Sequence, residues 1–251
     1  MKRLISYYGP DSRIAEAVIS LLFPRRCPVC ERIVTPKGAY ICPVCAKKLS
    51  FVKAPVCFKC GKEIGDGREY CQDCMRHPRT FERGIALLNY NEKASRSVSR
   101  IKYGGRREYL DYYGKAMAER LGSAIRRMKA QTLVPVPVHP ARLRERGFNQ
   151  AAELAARLGE LLSLPVDDSL LIRAKKTARQ KDLNPAQRLA NLEQAFSVPE
   201  RRKKEGKLPE SVILVDDIYT TGSTIEACTR ALKAAGVKRV YFVSICIGSE
   251  R

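Results

Sequence analysis

The chain is short of long apolar runs, of aromatic rings and of negative charge, and each shortage excludes something. The longest apolar stretch near its start, Ile14–Phe23, is interrupted by Glu16. Crossing a bilayer takes roughly 20 apolar residues, so this stretch does not span one. Asp11, Arg13 and Glu16 also break the apolar region that a secretion signal needs. Residues 1–22 are therefore expected to form an amphipathic helix, and the protein is expected in the cytoplasm, at most at the inner face of the membrane. Aromatic residues make up 7% of the chain, with no tryptophan, and stacking platforms are not obvious. Tyr103, Tyr109, Tyr112 and Tyr113 lie near Arg100, Lys102, Arg106 and Arg107, but some of these rings are expected in the core. Acidic residues number 26 against 47 lysines and arginines, a net charge of +21. The excess is spread out, +8 over residues 1–80 and +13 over the rest. A small nucleotide would not need charge on both parts, whereas a long polyanion such as single-stranded DNA would use it. A general basic bias serving solubility would give the same number without a ligand.

What is plentiful is cysteine. Eight of the ten form CxxC pairs: Cys27/Cys30, Cys42/Cys45, Cys57/Cys60 and Cys71/Cys74. Pair starts are 15, 15 and 14 residues apart, an internal repeat. Each pair can aim two thiolates at one ion, and two pairs close a four-thiolate zinc site with no position left for water. Pro28, Pro43 and Gly61 suit such knuckles. A disulfide scaffold is the alternative, but it fits poorly without a secretion signal. Two structural zinc ions are expected, paired sequentially (Cys27, Cys30, Cys42, Cys45; then Cys57, Cys60, Cys71, Cys74) rather than cross-braced, because short loops suffice. Segments this short have little core of their own, so the metal must supply folding energy. A closed site does no chemistry, and the ribbon pair reads as a scaffold or docking module over residues 23–80. Lys47, Lys48, Lys53, Lys59 and Lys62 could put positive charge on its surface. His77 has no metal partner and reads as exposed and inert. Cys228 and Cys246 stand alone in apolar segments and are expected in the core.

From Phe81 to Arg251 the texture changes. Strands are predicted at Ile85–Tyr90, Leu133–Val138, Leu170–Arg173, Val212–Val215 and Val240–Ile247, and helices at Tyr109–Met128, Gln150–Leu162 and Ser223–Ala235. Continuous apolar strands alternating with helices indicate an α/β domain with a mainly parallel sheet.

The most informative stretch is Val212-Ile213-Leu214-Val215-Asp216-Asp217-Ile218-Tyr219-Thr220-Thr221-Gly222-Ser223-Thr224. An apolar strand ends in two carboxylates, and a hydroxyl-rich turn then leads into a helix. Open α/β sheets place ligands at the carboxyl ends of their strands. A helix N-terminus and the N–H groups of such a turn bind phosphate. Paired carboxylates beside that phosphate suit vicinal ribose hydroxyls, so the segment reads as a pentose-5-phosphate cradle. An acidic strand end merely capping a helix, or a haloacid-dehalogenase-like phosphatase, would be the competing readings; the latter would separate its acidic residues by one position.

This segment resembles the phosphoribosyl pyrophosphate (PRPP) signature of type I phosphoribosyltransferases. The resemblance implies Asp216 and Asp217 as ribose ligands and catalytic carboxylates, Thr220, Thr221, Gly222, Ser223 and Thr224 as the phosphate loop, and Mg²⁺ bound with PRPP. It places Leu133–Pro140 and the basic run after it at the pyrophosphate loop, with His139, Arg142 and Arg146 facing the leaving group. It also places Lys176, Arg179 and Gln180 in a mobile hood over the reacting centre. The four knuckles, Ile101-Lys102-Tyr103-Gly104, VPVPVHP, RERGFNQ, KKT–RQ and VDDIYTTGST together are similar to the ComF family of competence-associated proteins, over about Phe23 to Ile247. That resemblance implies a PRPP-binding protein assisting uptake or processing of single-stranded DNA, with a competence helicase or membrane DNA-uptake machinery as partners. An active transferase of nucleobase or nucleotide metabolism, its acceptor unspecified, and a PRPP-sensing regulator without catalysis are the alternatives.

Overall fold

The structure is a computed structural model that describes residues 23–65, 67–173 and 195–249. The expected helix over residues 1–22 and the hood residues Lys176, Arg179 and Gln180 lie outside the described residues. The chain forms two compact units, residues 1–48 and 49–251.

In the first unit the Cys27 N–H donates to the Arg32 carbonyl, and Arg26 pairs antiparallel with Ile33 across the knuckle. Helix α1 (Pro43–Ala46) opens directly on Cys42, with proline preset for a first helical turn. Among the described residues, the buried apolar cluster of this unit is Cys27, Val34 and Cys45. The second unit repeats this pattern: Cys57 N–H donates to Lys62 O, Val56 pairs with Glu63, and α2 (Gln72–Arg76) opens on Cys71. Here, however, Cys57, Cys60 and Cys71 are buried in the same apolar cluster as the sheet residues Val212, Leu214 and Phe242.

The rest of this unit is the expected α/β layer. Its strands are β1 (Gly84–Asn89), β2 (Thr132–Pro135), β5 (Ser211–Tyr219) and β6 (Arg239–Ile247), in the order β1-β6-β5-β2 and all parallel. A two-stranded antiparallel piece, β3 (Ile172–Arg173) with β4 (Phe196–Ser197), lies apart from it. Helices α3 (Glu92–Tyr103), α4 (Tyr109–Arg127), α5 (Pro140–Arg146), α6 (Gln150–Leu162), α7 (Glu200–Lys204) and α8 (Ser223–Ala234) complete it. Both sheet edges are covered. Val52 N–H donates to Leu87 O beside β1, and Leu133 pairs with Val166 beside β2.

Strand alternation sets the layers. Val212 and Leu214 share the cluster that contains Ala227, Cys228 and Leu232 of α8, while α6 packs on β2 and β5, and α4 on β1. Arg157 ties α6 to α4 through Asp111 at 2.7 Å. Cys228 and Cys246 are fully buried, as expected of core thiols.

Sequence and structure differ at several points, and the strand read as Leu170–Arg173 is formed by Ile172 and Arg173 alone. The strand ending at Val215 runs on to Tyr219, because β6 continues alongside it with Ser244 opposite Asp216 and Ile247 opposite Tyr219. The strand read as Leu133–Val138 stops at Pro135, since prolines at 135 and 137 have no N–H to give the ladder. Lys62 is buried, not on the surface: it pairs with Asp73 and donates to the Ser249 carbonyl.

Candidate functional site

The early end of β2 opens the site. Up to Val215, β5 is paired on both sides, and the last bond on the β2 side runs from Val136 N–H to Val215 O at 2.9 Å. Beyond it β5 continues on β6 alone, while the chain after β2 turns away into α5. The divergence leaves a cleft of about 170 Å³ at the carboxyl ends of two parallel strands.

Asp216 and Asp217 form its floor and are 8% and 5% exposed. Asp216 accepts the Asp217 N–H, and Asp217 pairs with Lys102 near the end of α3. Burial first, and the neighbouring Asp217 second, push the Asp216 carboxyl well above its ordinary value. Thr224, at the start of α8, also lines the cleft. The turn before it is built for a close approach. Gly222 is left-handed at φ 79°, and a Cβ there would lie 2.3 Å from the Tyr219 hydroxyl oxygen. The Thr221 and Ser223 hydroxyls meet at 3.0 Å. With Thr220, these residues connect β5 to α8.

The opposite wall is cationic. His139 caps α5, its Nδ1 accepting the Ala141 N–H at 3.2 Å. His139, Arg142 and Arg146 all line the cleft, joined by Arg173 and Gln150. Burial, then the charges of Arg173, Arg142 and Arg144, hold the His139 pKa below its ordinary value. Burial and the nearby Arg142 likewise lower Arg173. The Nε–H groups of Arg146 and Arg173 are buried with no acceptor among the described residues. Cations crowded together with buried donors and too few carboxylates make a wall complementary to a polyanion such as pyrophosphate.

Of the residues expected from sequence, Asp216, Asp217, Thr224, His139, Arg142 and Arg146 line the cleft, whereas Thr220, Thr221, Gly222 and Ser223 are not among its lining residues. Lys102 and Arg173 also line the cleft; neither was given a role from sequence, Lys102 standing only in the Ile101–Gly104 motif and Arg173 only at the start of the hood stretch. Each comes from a distant segment, α3 or β3, and no local pattern announces that; the Ile101–Gly104 motif was the only available signal for Lys102.

The two thiol sets gather in sequence order, and within each set all four sulfurs lie within 4.8 Å of one another. Cys30 and Cys42 Sγ are 3.9 Å apart, and Cys60 and Cys71 Sγ 3.6 Å. A tetrahedron with Zn–S bonds of about 2.3 Å has edges of about 3.8 Å, so both sets fit zinc and neither fits a disulfide. The eight cysteines would hold two structural ions.

Fold and sites together define a double zinc ribbon protein with a phosphoribosyltransferase domain. Residues 18–75 match the double zinc ribbon domain family and residues 143–251 the phosphoribosyl transferase domain family. The chain is 31% identical over 181 residues to competence protein ComFC of Streptococcus pneumoniae, covering 70% of this chain and 74% of that one. Competence protein F of Haemophilus influenzae is 28% identical over 180 residues, 68% of this chain and 76% of its own. The DNA utilization protein YhgH of Salmonella typhimurium is 28% identical over 182 residues, 70% and 77%. The chain belongs to the ComF family.

Proposed function

We propose that the cleft binds PRPP with Mg²⁺, and that the protein couples this ligand to the handling of single-stranded DNA during uptake or utilisation. The observation that carries the first part is the pairing of two buried carboxylates with a cationic wall across one small cleft at the strand ends. Asp216 and Asp217 accept hydrogen bonds from the ribose 2- and 3-hydroxyls. The turn at Thr220, Thr221, Gly222 and Ser223, with Thr224, donates N–H and hydroxyl groups to the 5-phosphate. His139, Arg142, Arg146 and Arg173 receive the pyrophosphate, supplying the acceptor-poor donors with acceptors. Mg²⁺, when bound with PRPP, supplies further neutralisation of the pyrophosphate charge.

If an acceptor enters the site, the sugar C1–O bond breaks with its electron pair leaving on pyrophosphate. The acceptor's lone pair forms the new bond at C1, and the acceptor's proton departs to water or a nearby base. The chain's contribution is to position and to stabilise charge, which the preorganised arginines suit. Without an acceptor the same site works as a PRPP sensor. Release of pyrophosphate on adding nucleobases separates these two.

The DNA part draws on the net charge of +21 and on what the relatives are called. We place this work in the cytoplasm, at most at the inner face of the membrane. Among the described residues no helix is long and apolar enough to cross a membrane.

Calorimetric titration of PRPP and Mg²⁺ tests the ligand reading. Saturable binding is expected for the wild type and none for an Asp216→Asn, Asp217→Asn double variant. A folded, zinc-loaded wild type that takes up no PRPP would defeat the reading.

A further inference from the structure

The second set of thiols does no chemistry, yet the chain around it holds the phosphate turn from several directions. Arg79 follows Cys74 by five residues, and its Nη2 donates to the Thr221 carbonyl at 2.6 Å. Thr80 grips the first turn of α8: its N–H and hydroxyl donate to Glu226 at 3.0 and 2.8 Å, and Glu226 is itself buried. Beneath Gly222, Tyr219 stacks on Phe242 with centroids 4.5 Å apart, and Phe81 stands edge-on to both rings. On the knuckle side, Lys62 links Asp73, which lies between Cys71 and Cys74, to the Ser249 carbonyl. Gly248 N–H in turn donates to the Tyr219 carbonyl at 2.8 Å. All of these residues belong to one compact unit.

We propose that the second zinc ribbon braces the phosphate turn, with Arg79 as the positioning residue that joins them. Thr220 and Thr221 are exposed. An exposed turn left to itself would lose conformational freedom at the moment of binding and weaken affinity by that cost. Metal–thiolate bonds fix the start of the strap, and the strap fixes the turn beforehand. Arg79 has a second effect. A carbonyl facing a phosphate repels it, and the Thr221 carbonyl is already committed to the guanidinium, leaving the N–H groups of the turn to the anion. This explains why the second ribbon shares its core with the sheet, which a detachable docking module would have no need to do. The inference rests on reading the turn as the 5-phosphate cradle.

Separate calorimetric titrations of ribose 5-phosphate and of pyrophosphate into the zinc-loaded full chain test it. Arg79→Ala is expected to weaken ribose 5-phosphate by about tenfold or more, the worth of a hydrogen bond from a charged donor, and to leave pyrophosphate within about twofold. Arg79→Lys, which keeps a donor, is expected to recover most of the loss. Equal weakening of both ligands, or of neither, overturns the brace. A wild type that ignores ribose 5-phosphate but binds pyrophosphate overturns the phosphate reading of the turn, and the brace with it. Should Arg79→Ala fail to fold, the wild type still decides by reciprocity: saturating ribose 5-phosphate must tighten one of the two zinc ions in an equilibrium competition with a chelator, and unchanged zinc affinity overturns the proposal.

Discussion

Asp216 is where site chemistry and stability oppose each other. Its carboxyl is raised by burial first and by Asp217 beside it second, and the nearby Lys102 offsets only part of that rise. The folded chain therefore holds the proton more tightly than the unfolded chain does. Stability from this group is fully present at pH below the ordinary carboxylate value and is lost as pH rises through the raised folded value. Asp216→Asn removes that loss while keeping a carbonyl oxygen for the Asp217 N–H. The variant is expected to melt above the wild type at about pH 8, by roughly 2–4 °C for each kcal/mol recovered. The gap is expected to narrow towards about pH 5. Thermal melts across that range check it, and a variant that melts below the wild type at every pH would show that the carboxylate stabilises the empty fold. Lys62 makes the complementary point. As one lysine in a basic chain it read as surface charge, but Asp73 and a carbonyl across the unit make its burial affordable. No local pattern encodes such a partner.

At the scale of elements, the legible ones were those whose apolar pattern matches their geometry. Helix α6 lies at Gln150–Leu162 as read, because Leu154, Leu158 and Leu162 repeat every four residues. Helix α3 was missed: its buried face is only Ala94, Ser97, Val98 and Ile101, too small and too polar to stand out. Helix α5 was read as a basic run of the pyrophosphate loop and not as a helix, since none of its residues is buried and its start depends on a histidine cap and a proline. The continuation of β5 through two aspartates was missed for a functional reason, as the strand there gives up one neighbour to make the cleft. The turn after it is the most demanding element. Gly222→Ala forces a side chain into the left-handed region and against the Tyr219 hydroxyl. It is expected to cost about 1–3 kcal/mol in urea unfolding. Adding Tyr219→Phe, which removes the clashing oxygen, is expected to return part of that; unchanged stability in Gly222→Ala would mean the turn is free to adapt.

Over the whole molecule, the cysteine repeat and the parallel sheet were readable from sequence, because metal spacing and strand runs are local signals. The way the second ribbon shares a core with the sheet was not, because that depends on Phe81, Tyr219 and Phe242 meeting from three separate segments. The proposed ligand lies in the cleft with one polarity: 5-phosphate on the turn, pyrophosphate on the arginines. Phosphorus NMR of bound PRPP tests it most directly, because the 5-phosphate and the two pyrophosphate phosphorus atoms resonate separately. Ser223→Ala is expected to move the 5-phosphate resonance of the complex alone, and Arg142→Ala the pyrophosphate resonances alone. The opposite pattern, or a spectrum identical to free PRPP at saturating protein, would contradict it.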